Sequence, residues 1–307
     1  MSVDYDIQYR RQNEINKLKW DECIAGANNG LIYANSFYLD TMAKNWDALV
    51  LNDYEAVMPL TWNKKYNIHY LYQPAFTASL GVFGNNLTER LIQDFVQAIP
   101  KKFKLIEIAL NEGNIFSAPS GFSQIRNNYI LPLNKDYSEL QSAYKENIRR
   151  NIKKAHQLGC TIEKDISVKD VIALSRPAMQ LLTNVKEEDY SNFEKLYHLL
   201  HQQNKAITYG VYSPNKELVA SCVYFFSHNR AYYILVGNHP NGKTMGASHF
   251  LIDSFIKDYS NQNLILDFEG SDIRNLAFFY SSFGAELEIY PFLKINNLPA
   301  WVKWVKN

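Results

Sequence analysis

Two short stretches carry residue types that can do chemistry together. The first is Asp267-Phe268-Glu269-Gly270-Ser271-Asp272, which follows the apolar run Leu264–Leu266. Residues two apart on a strand share a face, so Asp267 and Glu269 are expected side by side at a strand end, where α/β proteins bind ligands. A partly buried carboxylate there can orient an amine or accept its proton. The competing use is to cap the next helix or pair with Arg274. The second stretch, Gly237-Asn238-His239-Pro240-Asn241-Gly242-Lys243-Thr244, satisfies GxxxxGK[ST] letter for letter. That pattern can make a nucleotide-binding phosphate loop, with the Asp267/Glu269 strand end as its magnesium-site carboxylate. Such a fold needs several further parallel strands, and too little chain follows Thr244 to supply them. A different anion site fits better. A helix is expected from Ser248, and the backbone N–H groups of Lys243, Thr244, Gly246, Ala247 and Ser248 would lie at its positive end, where amides lack intrahelical partners. Gly246 would leave room for the anion. A plain Gly/Asn/Pro-rich connection remains the third use of the same residues.

The elements that would hold these stretches repeat in order. Strand 68–73, a loop with Gly81 and Gly84, helix 88–98 and strand 105–110 precede strand 231–236, a loop with Gly237, Gly242 and Gly246, helix 248–259 and strand 264–268. Upstream of the second set, Ala206–Tyr212 and Leu218–Phe226 form a hairpin pattern across Ser213-Pro214-Asn215-Lys216. Upstream of the first, strands 46–51 and 55–61 flank the turn residues Asn52-Asp53. Helices are expected over 14–25, from Asn35 or Ser36, over 168–202, and as one long basic helix over 138–158 that stops at Gly159. On that helix, Arg149 and Arg150 can meet a phosphate or carboxylate, or simply face solvent. The pattern predicts an α/β (α+β) protein with an internal duplication and a junction near residues 134–138, dividing it into 1–137 and 138–307. Trp301–Val305 is expected as a terminal strand or edge.

Composition narrows the function classes. The chain has 307 residues, 47% of them hydrophobic and 14% aromatic, with 32 basic against 31 acidic side chains. Disorder is excluded, and DNA binding, which draws on a strong basic excess, is not expected. Cys23, Cys160 and Cys222 form no CxxC pair, and His156, His198 and His201 have no partners at metal-ligand spacing, so no metal is expected. With no apolar leader and no membrane-length run, the expected location is the cytoplasm.

Lys243-Thr244-Met245-Gly246-Ala247-Ser248 resembles the pyrophosphate loop R/Q-x-x-G-x-G/A of the GNAT acetyltransferases, with Lys for Arg/Gln and Ser for the last small residue. Asn275–Ala285 resembles the GNAT segment A-x-x-L-Y-x-K-x-G-F, one residue shorter between Ala and Tyr. Asn147–Gly159 resembles the R-x-x-x-x-A-x-x-x-G helix of the FemABX peptidyl transferases, without the long helical-hairpin insert that some of them carry. The order of these segments over residues 140–290 is similar to that of FemABX-like tandem members of the acyl-CoA N-acyltransferase superfamily. This resemblance implies two tandem GNAT-like units, each a mixed, largely antiparallel sheet flanked by helices. It also implies transfer of an acyl or aminoacyl group to a small-molecule or peptide-like amine, from acyl-CoA or, less readily, aminoacyl-tRNA. Tyr280 would protonate the leaving group, Asp267 or Glu269 would act on the acceptor amine, and Arg149, Arg150 and Asn238 would touch substrate. The N-terminal half would close the groove with Tyr33, Asn35 and Gln73. A GNAT-fold binding module without catalysis is the reading from another class.

Overall fold

In a computed structural model of the chain, residues 6–116, 123–182, 185–270 and 272–299 are described. Ser271 and Trp301–Val305 lie outside them. The elements run β1 (Ile7–Arg10), α1 (Lys17–Gly26), α2 (Ser36–Met42), β2 (Trp46–Leu51), β3 (Ala56–Lys65), β4 (Ile68–Tyr72), β5 (Phe83–Gly84), α3 (Glu89–Ala98) and β6 (Phe103–Ala109). They continue with β7 (Ser123–Pro132), α4 (Tyr137–Ser142), α5 (Glu146–Gln157), β8 (Thr161–Lys164), α6 (Val168–Leu182), α7 (Glu187–Gln202), β9 (Ala206–Tyr212), β10 (Leu218–Ser227) and β11 (Arg230–Asn238). The last are α8 (Pro240–Met245), α9 (Ala247–Tyr259), β12 (Ile265–Asp267), α10 (Arg274–Ser281) and β13 (Glu286–Asn296).

Two compact units result. One runs to Arg126 and resumes at Ile289; the other spans Asn127–Glu288. The return of the chain into the first unit comes from β13, which pairs with β6 from Phe292↔Ala109 to Asn296↔Leu105. Nothing in the local sequence of β13 announces that partner.

The first unit is a mixed sheet in the order β1-β2-β3-β4-β6-β13, with β5 added to β3. Its pairs are antiparallel except β4 with β6, which α3 connects, as a parallel pair requires a crossover. Thr88 caps α3 by accepting the Leu91 N–H at 3.2 Å. Leu91, Phe95, Leu49, Met58 and Ile106 form the core beneath it.

The second unit repeats this order of elements. Its sheet runs β7-β12-β11-β10-β9-β8 and is antiparallel except β11 with β12, joined through α8 and α9. Successive residues of β10 serve opposite layers. Cys222 and Tyr224 join the core formed with Ile148, Ile152, Phe250 and Phe255 of α5 and α9. Phe225 points the other way and stacks on Phe193 of α7, centroids 5.3 Å apart. The unit is therefore a sheet between two helical layers.

The single helix expected over 138–158 is two. Asp136 caps α4 by accepting the Glu139 N–H, and Arg149 of α5 donates to the terminal α4 carbonyls of Ser142 (2.6 Å) and Gln141 (3.3 Å). Between them Tyr144 buries its ring edge-to-face on Phe283, and the Lys145 N–H donates to Ser282 O at 2.9 Å. A continuous helix could not satisfy either contact. Gly159 ends α5 at φ +73°, as expected.

Two glycines fix how α8 and α9 sit. A Cβ at Gly242 would lie 2.1 Å from Val219 O, and one at Gly246, which also has φ +77°, would lie 2.4 Å from Asn151 O of α5. Gly242→Ala and Gly246→Ala are each expected to lower unfolding free energy by about 1 to 3 kcal/mol. The check is a shift in denaturant midpoint at unchanged m-value, with no ligand present. On α9, burial pushes the His249 imidazole from its ordinary 6.5 down to about 4. Its Nδ1 is buried without a hydrogen bond, and its ring sits edge-on to Phe279 at 4.9 Å. Between those values the unfolded chain binds the proton and the native state does not, so this contribution is complete above pH 6.5 and is lost as pH falls toward 4. Urea midpoints measured across that range should fall, and the fall should be shallower in His249→Phe.

Candidate active site

The parallel pairing of β11 with β12 lasts three residues: Arg230↔Ile265, Ala231↔Leu266 and Tyr232↔Asp267. β12 then ends, while β11 runs on to Asn238 against β10 alone. The strands part, and the β12-facing edge of β11 beyond Tyr232 has no strand partner among the described residues. Aromatic rings line the opening. Tyr280 of α10 stacks on Phe268 (centroids 4.5 Å, planes 18° apart) and meets Tyr233 edge-on at 6.4 Å. Such pairs are worth about 0.5–1.5 kcal/mol each beyond burial and fix the ring's direction.

Tyr280 is 7% exposed. Burial first, and the nearby negative charge of Glu269 second, raise its phenol well above the ordinary value, so it stays protonated across the physiological range. A protonated phenol where two strands part can donate a proton to a group that becomes anionic.

The two acidic residues do not share a face. β12 ends at Asp267 and Glu269 takes φ +66°, Gly270 φ +83°, so strand alternation stops between them. Leu266 and Phe268 point into the core that holds Tyr280. Asp267 points to the opposite side, 4% exposed, where its carboxylate accepts from Arg230 NH1 (2.6 Å) and Asn128 Nδ2 (2.9 Å). The second guanidinium nitrogen donates to Glu288 Oε1 at 2.8 Å. Removing one member of a buried pair of this kind costs about 3–5 kcal/mol. Both Asp267 oxygens thus have donors, and the charge of Glu269 is felt at the Tyr280 phenol.

The Gly237–Ser248 segment also differs from the open loop expected. Gly237 and Asn238 belong to β11, and Pro240–Met245 winds into α8, with Pro240 at its first turn and His239 Nδ1 accepting the Asn241 N–H. Lys243, Thr244 and Met245 therefore lie on a helix and not in an open loop, and the side chains of Lys243 and Thr244 are exposed. Gly246 gives its space to the Asn151 carbonyl, not to a ligand. What remains is the first turn of α9. The amides of buried Ala247, Ser248 and His249 precede its first intrahelical bond, Phe250 N–H to Gly246 O. Ser248 Oγ bonds Asn238 Oδ1, so these two predicted residues are brought together beside that turn. The nucleotide-loop reading falls with the fold, because the strand before α8 lies in a largely antiparallel sheet.

The other predicted contacts have structural partners. Arg149 caps α4, while Arg150 is exposed on α5. In the first unit Tyr33 is buried, edge-to-face with Tyr38 at 5.3 Å. Asn35 Nδ2 donates to Ile32 O. Gln73 spans Thr77 O (3.0 Å) and the Ala109 N–H (3.0 Å). Sequence reading missed Arg230, Asn128 and Glu288, whose only signal is a contact between residues far apart in the chain.

These features have counterparts in known proteins. The sequence profile of the acetyltransferase (GNAT) domain family matches residues 142–272, the stretch that contains α5, the parting strands and the turn after β12. The fold is similar to that of FemX, at TM-score 0.65 and 12% identity, covering 98% of this chain and 100% of that one. It is similar to a conserved protein of unknown function from Bacteroides thetaiotaomicron (TM-score 0.55, 13% identity, 95% and 100% covered). It also resembles the C-terminal domain of a putative lysylphosphatidylglycerol synthetase from Agrobacterium fabrum (TM-score 0.55, 10% identity, 92% of each chain). No curated protein matches the sequence. No helix among the described residues is long and apolar enough to cross a membrane. The chain thus carries a match to the GNAT domain model over residues 142–272 and shares the fold of FemX.

Proposed function

We propose that this protein transfers an acyl group from a carrier thioester, acyl-CoA, to an amine, and that the second unit holds the reacting atoms. The observation that carries this reading is the placement of the Tyr280 phenol, kept protonated by burial and by Glu269, at the point where β11 and β12 part. The free edge of β11 offers backbone groups to an extended arm that contains amides, as the pantetheine of coenzyme A does. The first turn of α9 offers amides and a positive dipole end to the pyrophosphate beyond it, with Lys243 and Thr244 exposed nearby on α8.

In the reaction, a neutral amine attacks the thioester carbonyl, the C–S bond breaks, and the thiolate takes the Tyr280 proton. The proton lost by the amine passes to Glu269 through water. No covalent enzyme intermediate is required; position and proton handling supply the rate. The first unit, whose order of strands and parallel closing pair match the second, is read as a duplicated GNAT-like unit. The acceptor class is a small-molecule or peptide-like amine.

Calorimetry with acetyl-CoA tests the donor. Micromolar binding that coenzyme A shares and ATP–Mg does not is the expected result; absence of binding would turn the search to an aminoacyl ester carrier. Once turnover is followed as release of the CoA thiol, Tyr280→Phe is expected to lower kcat by about 10²–10⁴-fold with acetyl-CoA affinity retained. Glu269→Gln should lower kcat as well, most strongly below the pKa of the acceptor amine, where a base is needed. Equal loss of affinity and kcat in both variants would place these residues in binding and not in proton transfer.

A further inference from the structure

The turn that follows β12 is held by side chains rather than by a strand ladder. Asp267 Oδ1 accepts the Glu269 N–H at 2.9 Å, and Asn128 Oδ1 accepts the Gly270 N–H at 2.6 Å. Asn128 Nδ2 in turn donates to Asp267 Oδ1 (2.9 Å) and Glu288 Oε2 (3.1 Å). Arg230 closes the cluster, its NH1 shared between Asp267 Oδ2 (2.6 Å) and Glu288 Oε2 (3.1 Å), its NH2 on Glu288 Oε1 (2.8 Å). Asp267 thus receives three donors on two oxygens: Arg230, Asn128 and the Glu269 amide. A carboxylate can accept all three, whereas an amide side chain would set its own NH₂ against one of them. The cluster lies on the far side of the sheet from Tyr280, yet both amides it holds belong to the two left-handed residues, Glu269 and Gly270, that directly follow Phe268, the ring stacked on Tyr280. Left-handed backbone at a residue with a side chain costs free energy and persists only where surroundings over-determine it.

We infer that Arg230, Asp267 and Asn128 form a positioning device: they hold the 268–270 turn so that the Glu269 carboxylate faces the Tyr280 phenol. The role rests on the transferase reading for its purpose and on the hydrogen bonds for its mechanism. Arg230 and Asp267 act through Glu269 and touch neither donor nor acceptor. Glu288 neutralises Arg230 but has no bond to the turn, so it separates holding the turn from holding the unit together.

Hydrogen exchange by mass spectrometry on the full chain, without ligand, tests the mechanism directly. In Asp267→Asn and in Asn128→Ala, exchange in a peptide covering 268–270 should speed up at least about tenfold, the effect of losing roughly 1.4 kcal/mol of local protection. Peptides from β10 and α9 should be unchanged, and Glu288→Gln should leave the turn as protected as in the wild type. Asn128→Ala keeps the Arg230–Asp267 pair and serves where Asp267→Asn fails to fold. Unchanged exchange at 268–270 in Asn128→Ala, or equal loosening in Glu288→Gln, overturns the inference. The second readout uses acetyl-CoA: in Asn128→Ala, kcat for thiol release should fall with KM for acetyl-CoA held, which a general loss of stability would not produce. If the wild type binds no acetyl-CoA, the transferase reading fails by itself and the exchange data still decide whether these residues hold the turn.

Discussion

Parallel strands that pair for only three residues leave a problem that the rest of the second unit answers. Beyond Tyr232 the β11 backbone has donors and acceptors along one edge with no strand beside them among the described residues, and buried backbone groups need partners. The chain frames the opening with rings, Phe268, Tyr233 and Tyr280, which exclude water from the sides but bring no backbone to the edge. The short β12, the left-handed turn after it and the position of α10 are three aspects of one constraint: the strands must part, and something rigid must hold them parted.

Rigidity here is electrostatic on one face and aromatic on the other. On the α9 side, stacked rings give shape without charge. On the opposite side, one guanidinium and two carboxylates within hydrogen-bond distance make an arrangement that tolerates little movement, because each displaced partner leaves a desolvated charge. β12 is the wall between them, with Asp267 facing one way and Phe268 the other.

Much of this was legible in the sequence, and for identifiable reasons. Helices and strands with strong periodicity and local punctuation were found close to where they lie: α3 behind Thr88, α5 ending at Gly159, the β9–β10 hairpin across Ser213–Lys216, and the apolar β12. The repeated order of elements was visible too, and both sets close with a parallel pair. Tyr280 enters through the resemblance of Asn275–Ala285 to a GNAT segment, not through periodicity or spacing. What failed depended on single dihedral angles or on distant partners. Strand alternation put Asp267 and Glu269 on one face, but the strand stops between them. Glycine at 246 suggested an open cradle, although the room it provides is taken by Asn151 O. Arg230 carries no local signature, since its partners are 37 and 58 residues away. The break between α4 and α5 was hidden because Tyr144, which causes it, has good helical neighbours.

The cluster at 128, 230, 267 and 288 also bears on how such a chain can change by descent. Its four members come from β7, β11, β12 and the first residues of β13, spread over most of the second unit, and loss of Arg230 alone would leave the buried Asp267 carboxylate without its ion-pair partner. On physical grounds a change at Arg230 or Asp267 is therefore tolerated best when its partner changes with it.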